Sequence, residues 1–230
     1  MAAKVCIIIP AFNEEGSIKS VVKEVKDTKL ASEILIVNDG STDETDKVAK
    51  RLGITLISLP FNLGIGGAVQ TGLIYAARRG FDVAVQIDAD GQHNPKYLKS
   101  LLRALKMGTD MVIGSRYIKR TEYKTGVLRY FGINIFSLLI WATCSKKIYD
   151  TTSGYRVFGK KALNFAAVNY PQEFPEPLSI VTFLKNGFKL KEVPVEARPR
   201  KTGKSSISYL YAAYLMFSIS IAILFASFRK

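Results

Sequence analysis

Asp88 and Asp90 stand two residues apart in QIDADGQHNP, residues 86 to 95, directly after the apolar run FDVAV. In an extended segment, side chains two apart project to the same face, so both carboxylates can address one ion or one ligand. Gln92 adds a neutral oxygen. The three form a hard, oxygen-only set suited to Mg2+ or Mn2+ shared with substrate phosphates, whereas zinc favours His and Cys. The ordinary reading of an isolated aspartate pair is a turn or a helix cap. A second acidic cluster lies upstream in VNDGSTDET, where Asp39, Ser41, Thr42 and Asp43 form a turn. Its carboxylates can bond ribose hydroxyls or a base, or the turn simply caps a helix. His93, the only histidine, follows the aspartates and reads either as a ligand or donor contact or as a structural turn residue.

The chain has 230 residues, with 33 Lys and Arg against 19 Asp and Glu, a formal net charge of +14. That sign fits nucleic acid, a phosphorylated small molecule or an acidic membrane surface. No nucleic-acid reading motif is present, so nucleic acid is not an expected partner. Arg116, Arg200 and Lys204 are candidate clamps on phosphate, since cationic donors strengthen bonds to phosphate oxygens; solvated surface bases are the plain alternative. A hydrophobic share of 48% excludes a mainly disordered chain. Cys6 and Cys144 have no paired spacing, which excludes a disulfide framework and suits a reducing cytosol. No export signal is read at the N-terminus.

The elements that must position these residues follow from periodicity. KVCIIIPAF, EILIVND, ITLISLP, FDVAVQID and DMVIGSRY read as strands, separated by amphipathic stretches. The first stretch, NEEGSIKSVVKEVKDT, puts Ile18, Val21, Val22 and Val25 on one helix face, with Glu14 and Glu15 near its start. The next, GSTDETDKVAKRLG, reads as a turn and short helix closing on Gly53. GGAVQTGLIYAARRG is a third helix, and the glycines before it do not match the dinucleotide spacing. Strands this apolar are covered on both faces, which predicts a three-layer α/β domain with a mostly parallel sheet. Ligands gather beyond the carboxyl ends of such strands. PAFNE, NDGSTD and DADGQH lie there, so three loops distant in sequence should share one crevice.

Beyond residue 116 the pattern changes. Residues 120–147 form a broken apolar stretch bounded by basic residues, which reads as membrane-interface helices with Arg129, Lys146 and Lys147 near headgroups, or as a core helix pair. Residues 207–228 carry no charge, and as a helix would run roughly 33 Å against a hydrocarbon core of about 30 Å. A transmembrane helix over 207–230 is the expectation, with a buried terminal helix or a homo-oligomer contact as alternatives.

PAFNEE, VNDGSTD, DADGQHNP and GSRY together resemble, in order and spacing, the family 2 glycosyltransferases of GT-A fold. Within that family the chain is similar to the polyprenyl-phosphate sugar transferases, the dolichyl-phosphate mannose synthase group, over about residues 4–206. The resemblance implies a GT-A catalytic domain over 1–206, a nucleotide-sugar donor, Mg2+ or Mn2+, and inversion at the anomeric carbon. Pro10, Phe12 and Glu14 match the first nucleotide-binding loop, and Asp39 the acid that holds the nucleoside. Asp88 and Asp90 match the DxD pair with Gln92 at the third metal-associated position. Arg116 matches an arginine placed toward the phosphates, and Arg200 a late basic residue on the diphosphate. Asp150, Ser153, Gly154 and Arg156 match the loop between donor and acceptor. Ser206 stands where family members often carry lysine, and Lys204 is the available substitute.

A polyprenyl phosphate acceptor would bring its own nucleophile, because a phosphate monoester with a second pKa of about 6 is largely dianionic at neutral pH. A hydroxyl acceptor would need a base, and Glu173 or Glu176 in QEFPEP is the candidate, or else both belong to a surface turn. The expectation is a membrane enzyme with its catalytic domain on the cytosolic face. A non-catalytic membrane-associated module that binds nucleotide sugar is the competing class.

Overall fold

Alternate residues of the first strand, β1 (Val5–Ala11), enter two different cores. Cys6 and Ile8 join the cluster on one face of the sheet, whereas Val5, Ile7, Ile9 and Ala11 join the other, as the two-residue period of a strand requires. The computed structural model describes residues 3–105, 107–118, 127–199 and 209–228. From β1 the chain passes through α1 (Ile18–Asp27), β2 (Glu33–Asn38), α2 (Thr45–Arg51), β3 (Thr55–Ser58), α3 (Gly64–Arg78) and β4 (Val83–Gln86). All these strands pair in parallel, β1 lying between β2 and β4. The strand order therefore reverses between β1 and β4, the place where open α/β sheets bind ligands.

The predicted local structure is present at these elements. Ile18, Val21, Val22 and Val25 are the buried face of α1, and Gly53 takes the left-handed conformation, φ +61°, after α2. α1 begins at Ile18, with Glu14 and Glu15 just before its start as expected, Glu14 O accepting the amides of Ser17 and Ile18.

After β4 come α4 (Leu98–Leu105) and β5 (Met111–Ser115), then α5 (Val127–Cys144), β6 (Arg156–Gly159), α6 (Lys160–Asn169), α7 (Pro175–Lys185), β7 (Leu190–Pro194) and α8 (Tyr209–Phe228). The sheet runs β3-β2-β1-β4-β6-β5-β7. Here β6 inserts antiparallel between β4 and β5, and β7 adds parallel outside β5. Helices cover both faces, α1, α2 and α4 on one and the rest on the other. The expected three-layer, mostly parallel α/β architecture is observed.

The C-terminal expectation is corrected in part. α8 packs on α5 and α7 and buries Ile223, and among the described residues no helix is long and apolar enough to cross a membrane. A run without charges measures apolarity along a helix and says nothing of neighbours beside it, and α5 and α7 take up one side of this one. The opposite side stays open: Tyr214, Phe217, Leu224, Phe225 and Phe228 are exposed on α8, as are Tyr130, Phe131, Leu138 and Trp141 on α5. The stretch expected as interface helices is thus the single helix α5, whose Ile133, Phe136 and Ile140 face the core. Residues 119–126 lie outside the described residues.

Gly72 shows how tightly α3 seats on β1. A Cβ added there would fall well inside van der Waals contact of Ile8 Cγ2, and Ile8 is fully buried. Overpacking of this kind costs about 1–3 kcal/mol. Gly72→Ala should therefore lower the unfolding free energy measured in urea by that amount, and the same change in an Ile8→Ala background should cost markedly less; equal costs in both backgrounds would contradict the contact.

Candidate active site

The carboxyl ends of β1, β2 and β4 are held level by hydrogen bonds that continue past the ladders. Asp39 N donates to Ala11 O at 2.8 Å, and Ile87 N to Ile8 O at 3.0 Å. These ends open on a cleft of about 360 Å3 lined by Pro10, Phe12, Glu14, Asp39, Asp88 and Asp90, with Asn62 and Ile65 from the start of α3. The residues expected from three separate loops are thus brought together.

Each carboxylate in the cleft is oriented by a donor of its own chain. Asp39, nearly buried, accepts the amide of Leu63 at 2.8 Å. That pins the loop before α3, and it requires Gly40: φ there is +67°, and a Cβ would stand 2.7 Å from Asn62 N. Asp90 accepts from Gln92 N at 2.9 Å, Asp88 from Gln86 Nε2 at 3.2 Å, and Glu14 from Ser17 Oγ. Asp88 and Asp90 sit on a turn rather than on a continued strand, yet both face the cleft. Gln92 does not: its side chain lines a smaller adjoining cavity with His93, Asn94 and Arg116.

Among the described residues no group of three or more His, Cys, Asp or Glu side chains forms a ready-made metal cage. Two carboxylates on an open cleft nevertheless fit Mg2+ or Mn2+ well, because such ions are held by one or two carboxylates plus substrate phosphates and water. A dedicated all-protein cage is the pattern of other metals.

Ser41, Thr42 and Asp43 turn out to lace the first two loops to each other. Ser41 Oγ accepts Asn13 N at 3.0 Å, Asn13 Oδ1 accepts Thr42 N at 2.8 Å, and Asp43 Oδ2 accepts Glu15 N at 3.2 Å. Burial works to raise the Asp43 carboxyl, and the bonds from Thr45 and Glu15 outweigh it, holding the acid below its usual range. Of the acids in this turn, Asp39 is the one that lines the cleft.

The arginine of GSRY is gripped from behind. Asp150, fully buried, accepts from Arg116 Nε at 2.7 Å, from Nη2 at 2.7 Å and from the Arg116 amide at 2.9 Å. Nη2 also reaches Thr152 Oγ1 at 2.9 Å. Asp150 is itself positioned because Glu192 accepts its amide at 2.8 Å and that of Tyr149 at 2.9 Å; burial raises the Glu192 pKa above the usual range. Asp150 thus acts through Arg116 and does not face the cleft.

Two expected acceptor contacts are corrected. Ser153 is buried and donates to Gly114 O at 2.6 Å. Arg156 is fully buried, giving Nε to Ser153 O at 2.9 Å, Nη2 to Glu176 O at 2.6 Å and Nη1 to Ser179. It ties β6 to the first turn of α7 and lines neither the cleft nor the smaller cavity beside it. Sequence alone could have flagged it: an arginine inside the run YRVF, with apolar neighbours, sits where a sheet interior is expected. Of the candidate bases, Glu173 is exposed, whereas Glu176 is half-buried in the first turn of α7. Burial raises its pKa, the nearby Arg156 opposes that, and Asp88 adds to it. Arg200, Lys204 and Ser206 lie outside the described residues.

Comparison with known proteins gives this arrangement its relatives. Residues 6–165 match the model of a family described as glycosyl transferase family 2. The polyprenol monophosphomannose synthase of Mycolicibacterium smegmatis is 30% identical over 93% of this chain and 84% of its own. A UDP-N-acetylglucosamine–dolichyl-phosphate N-acetylglucosaminyltransferase of Methanococcus voltae is 31% identical over 83% of this chain and 84% of its own. Among solved structures, glucosyl-3-phosphoglycerate synthase of Mycobacterium tuberculosis, crystallised with Mn2+, UDP and phosphoglyceric acid, superposes with a TM-score of 0.75 over 98% of this chain and 78% of its own. At 20% identity that likeness establishes the fold.

Neutralising one half of a buried ion pair costs about 3–5 kcal/mol, because the partner charge stays buried without compensation. Asp150→Asn should lower unfolding stability by that order, measured in urea. The double change Arg116→Met with Asp150→Leu should cost less than Asp150→Asn alone, and a larger loss in the double variant would show that the pair is not the unit described here.

Proposed function

The chain belongs to glycosyl transferase family 2, and from that premise we propose that it moves a sugar from a nucleotide diphosphate donor to a polyprenyl phosphate, with inversion. The single observation that carries this reading is the cleft shared by Pro10, Phe12, Glu14, Asp39, Asp88 and Asp90. Asp39, fixed by Leu63 N, offers its second oxygen to the nucleoside. Asp88 and Asp90 hold Mg2+ or Mn2+. When bound, that ion neutralises charge developing on the departing diphosphate. Arg116, held by Asp150 through Nε and Nη2, lines the small cavity beside Gln92 and His93 and is the cation we assign to the acceptor phosphate. An oxygen of the lipid phosphate attacks the anomeric carbon opposite the leaving diphosphate, so no side chain need remove a proton.

Membership of an enzyme family sets aside the silent binding module. A hydroxyl acceptor is the second reading, supported by the Mycobacterium tuberculosis neighbour, whose ligand is phosphoglyceric acid, and by Glu176, whose raised pKa suits a base. The named relatives act on lipid phosphates, and the apolar outer faces of α5 and α8 favour the same acceptor class.

We also propose that these two faces rest on a membrane, with the catalytic domain on its cytosolic side. Tyr130 of α5 packs edge-on to Tyr117, the neighbour of Arg116, with ring centroids 6.1 Å apart. The apolar surface therefore begins beside the cation assigned to the acceptor headgroup. A homo-oligomer contact through α8 is the competing use of this surface.

Purified protein given labelled nucleotide sugars, Mg2+ or Mn2+, and polyprenyl phosphate should form a lipid-linked sugar detectable by mass spectrometry. Glu176→Gln should retain that transfer within about threefold; loss of at least a hundredfold, with donor binding unchanged, would establish the hydroxyl reading. Phe217→Asp with Phe225→Asp should abolish flotation with anionic vesicles and leave the oligomeric state unchanged. Retained flotation, or a change from dimer to monomer, would assign the face to the oligomer instead.

A further inference from the structure

His93 is a side chain of the DADGQH turn that the proposed chemistry does not use. The last ladder bond of β4 is made by Ile87 N. The next amide, that of Asp88, has left the sheet and needs another acceptor, because buried main-chain donors are nearly always paired. His93 Nδ1 supplies it at 3.1 Å. A ring nitrogen that accepts an N–H carries its lone pair there, so the proton of the neutral imidazole resides on Nε2. That nitrogen lies 3.7 Å from Asp88 Oδ2. The same imidazole therefore contacts both the main chain and the carboxylate side of Asp88, whose other oxygen takes the bond from Gln86 Nε2 at 3.2 Å.

The ring is itself immobilised. It stacks on Tyr155, with centroids 5.0 Å apart and planes at 22°, and Tyr155 is fully buried and bonds Asn94 O at 3.4 Å. The His93 main chain bridges to Ala197, and Gln92 O accepts Arg198 N at 3.0 Å. The turn is thus fastened on the side away from the cleft, while its carboxylates face into it.

We infer that His93 is a positioning residue: it fixes the main chain and the carboxylate of Asp88 in the orientation that receives the divalent ion, and it is not itself a ligand. Nδ1 is committed as acceptor of the Asp88 amide, and Nε2, carrying the proton in that tautomer, has no lone pair to offer a metal. The inference rests on the reading that Asp88 and Asp90 hold that ion.

The atom responsible is identified by three substitutions. Asparagine places an amide oxygen near Nδ1, glutamine places its polar group near Nε2, and phenylalanine keeps the stack on Tyr155 with no acceptor. Free Mn2+, measured by electron paramagnetic resonance on the full chain with UDP and with GDP, reports ion affinity without turnover. Partners that orient metal ligands typically change affinity 10- to 100-fold. His93→Phe should weaken Mn2+ binding at least about tenfold with the thermal midpoint near wild type, and His93→Asn should restore it to within about threefold. His93→Gln should resemble phenylalanine. Wild-type affinity in His93→Phe would overturn the inference, as would rescue by glutamine but not by asparagine, which would make Nε2 the acting atom. Asp88→Asn separates the two levels: unchanged Mn2+ binding there removes the metal reading itself and the inference with it, whereas lost binding in Asp88→Asn beside wild-type binding in His93→Phe removes only the inference.

Discussion

Four acidic side chains, from Glu14, Asp39, Asp88 and Asp90, line one cleft, and the orientation of each by a donor of the same chain is the constraint around which this end of the molecule is arranged. The fold supplies oriented donors to them: Leu63 N to Asp39, Gln92 N to Asp90, Gln86 Nε2 to Asp88 and Ser17 Oγ to Glu14. Among the described residues no Lys or Arg lines it. A cavity of that sign repels a bare diphosphate and attracts a divalent ion, so ion and donor are complementary occupants, each removing the obstacle to the other.

The positive charges that balance this cluster lie one layer behind it. Arg116 and Arg156 are both buried, one bonded to Asp150 and the other to main-chain oxygens and Ser179. A buried ion pair is weak evidence for stability; what Asp150 contributes is geometry, since it binds the Arg116 amide and guanidinium together. Gly154 completes the arrangement for reasons of space. A Cβ there would stand 2.9 Å from Asp88 Oδ2 and 3.0 Å from Gln86 Nε2, so any side chain would displace the aspartate. The loop over residues 150–156 thus touches the Asp88–His93 turn with its backbone at Gly154 while Asp150, Ser153 and Arg156 point inward.

That inward turn explains how far the site was legible in the sequence. Pro10, Phe12, Glu14, Asp39, Asp88 and Asp90 follow strands whose apolar runs announce their ends, and loops at the same end of a parallel sheet must meet. Asp150, Ser153 and Arg156 follow no such run. Asp150 and Ser153 precede β6, a strand of four residues that opens on Arg156, and its antiparallel pairing between β4 and β5 depends on contacts far apart in the chain. Motif matching therefore located the loop, and only the sheet pairing determined which way its side chains face. Gln92 is a milder case: the positive φ of Gly91, +78°, rotates the chain after Asp90, so spacing by twos no longer keeps a side chain on the same face.

The same distinction between pattern along the chain and packing across it governs α8. Twenty residues from Tyr209 to Phe228 contain enough apolar area for burial on all sides, yet one side meets α5 and α7. Under the proposed function, a helix with a fixed protein neighbour on one side and an open apolar flank on the other lies at the boundary of a bilayer beside α5, whose exposed Tyr130 and Trp141 are residues that favour that layer. This placement has a consequence for the acceptor. A lipid phosphate holds an anionic head at the boundary and its chain beneath. With Tyr117 linking Arg116 to the outer face of α5, the head can meet the guanidinium while the chain stays in the bilayer, so the acceptor need not be extracted in order to react.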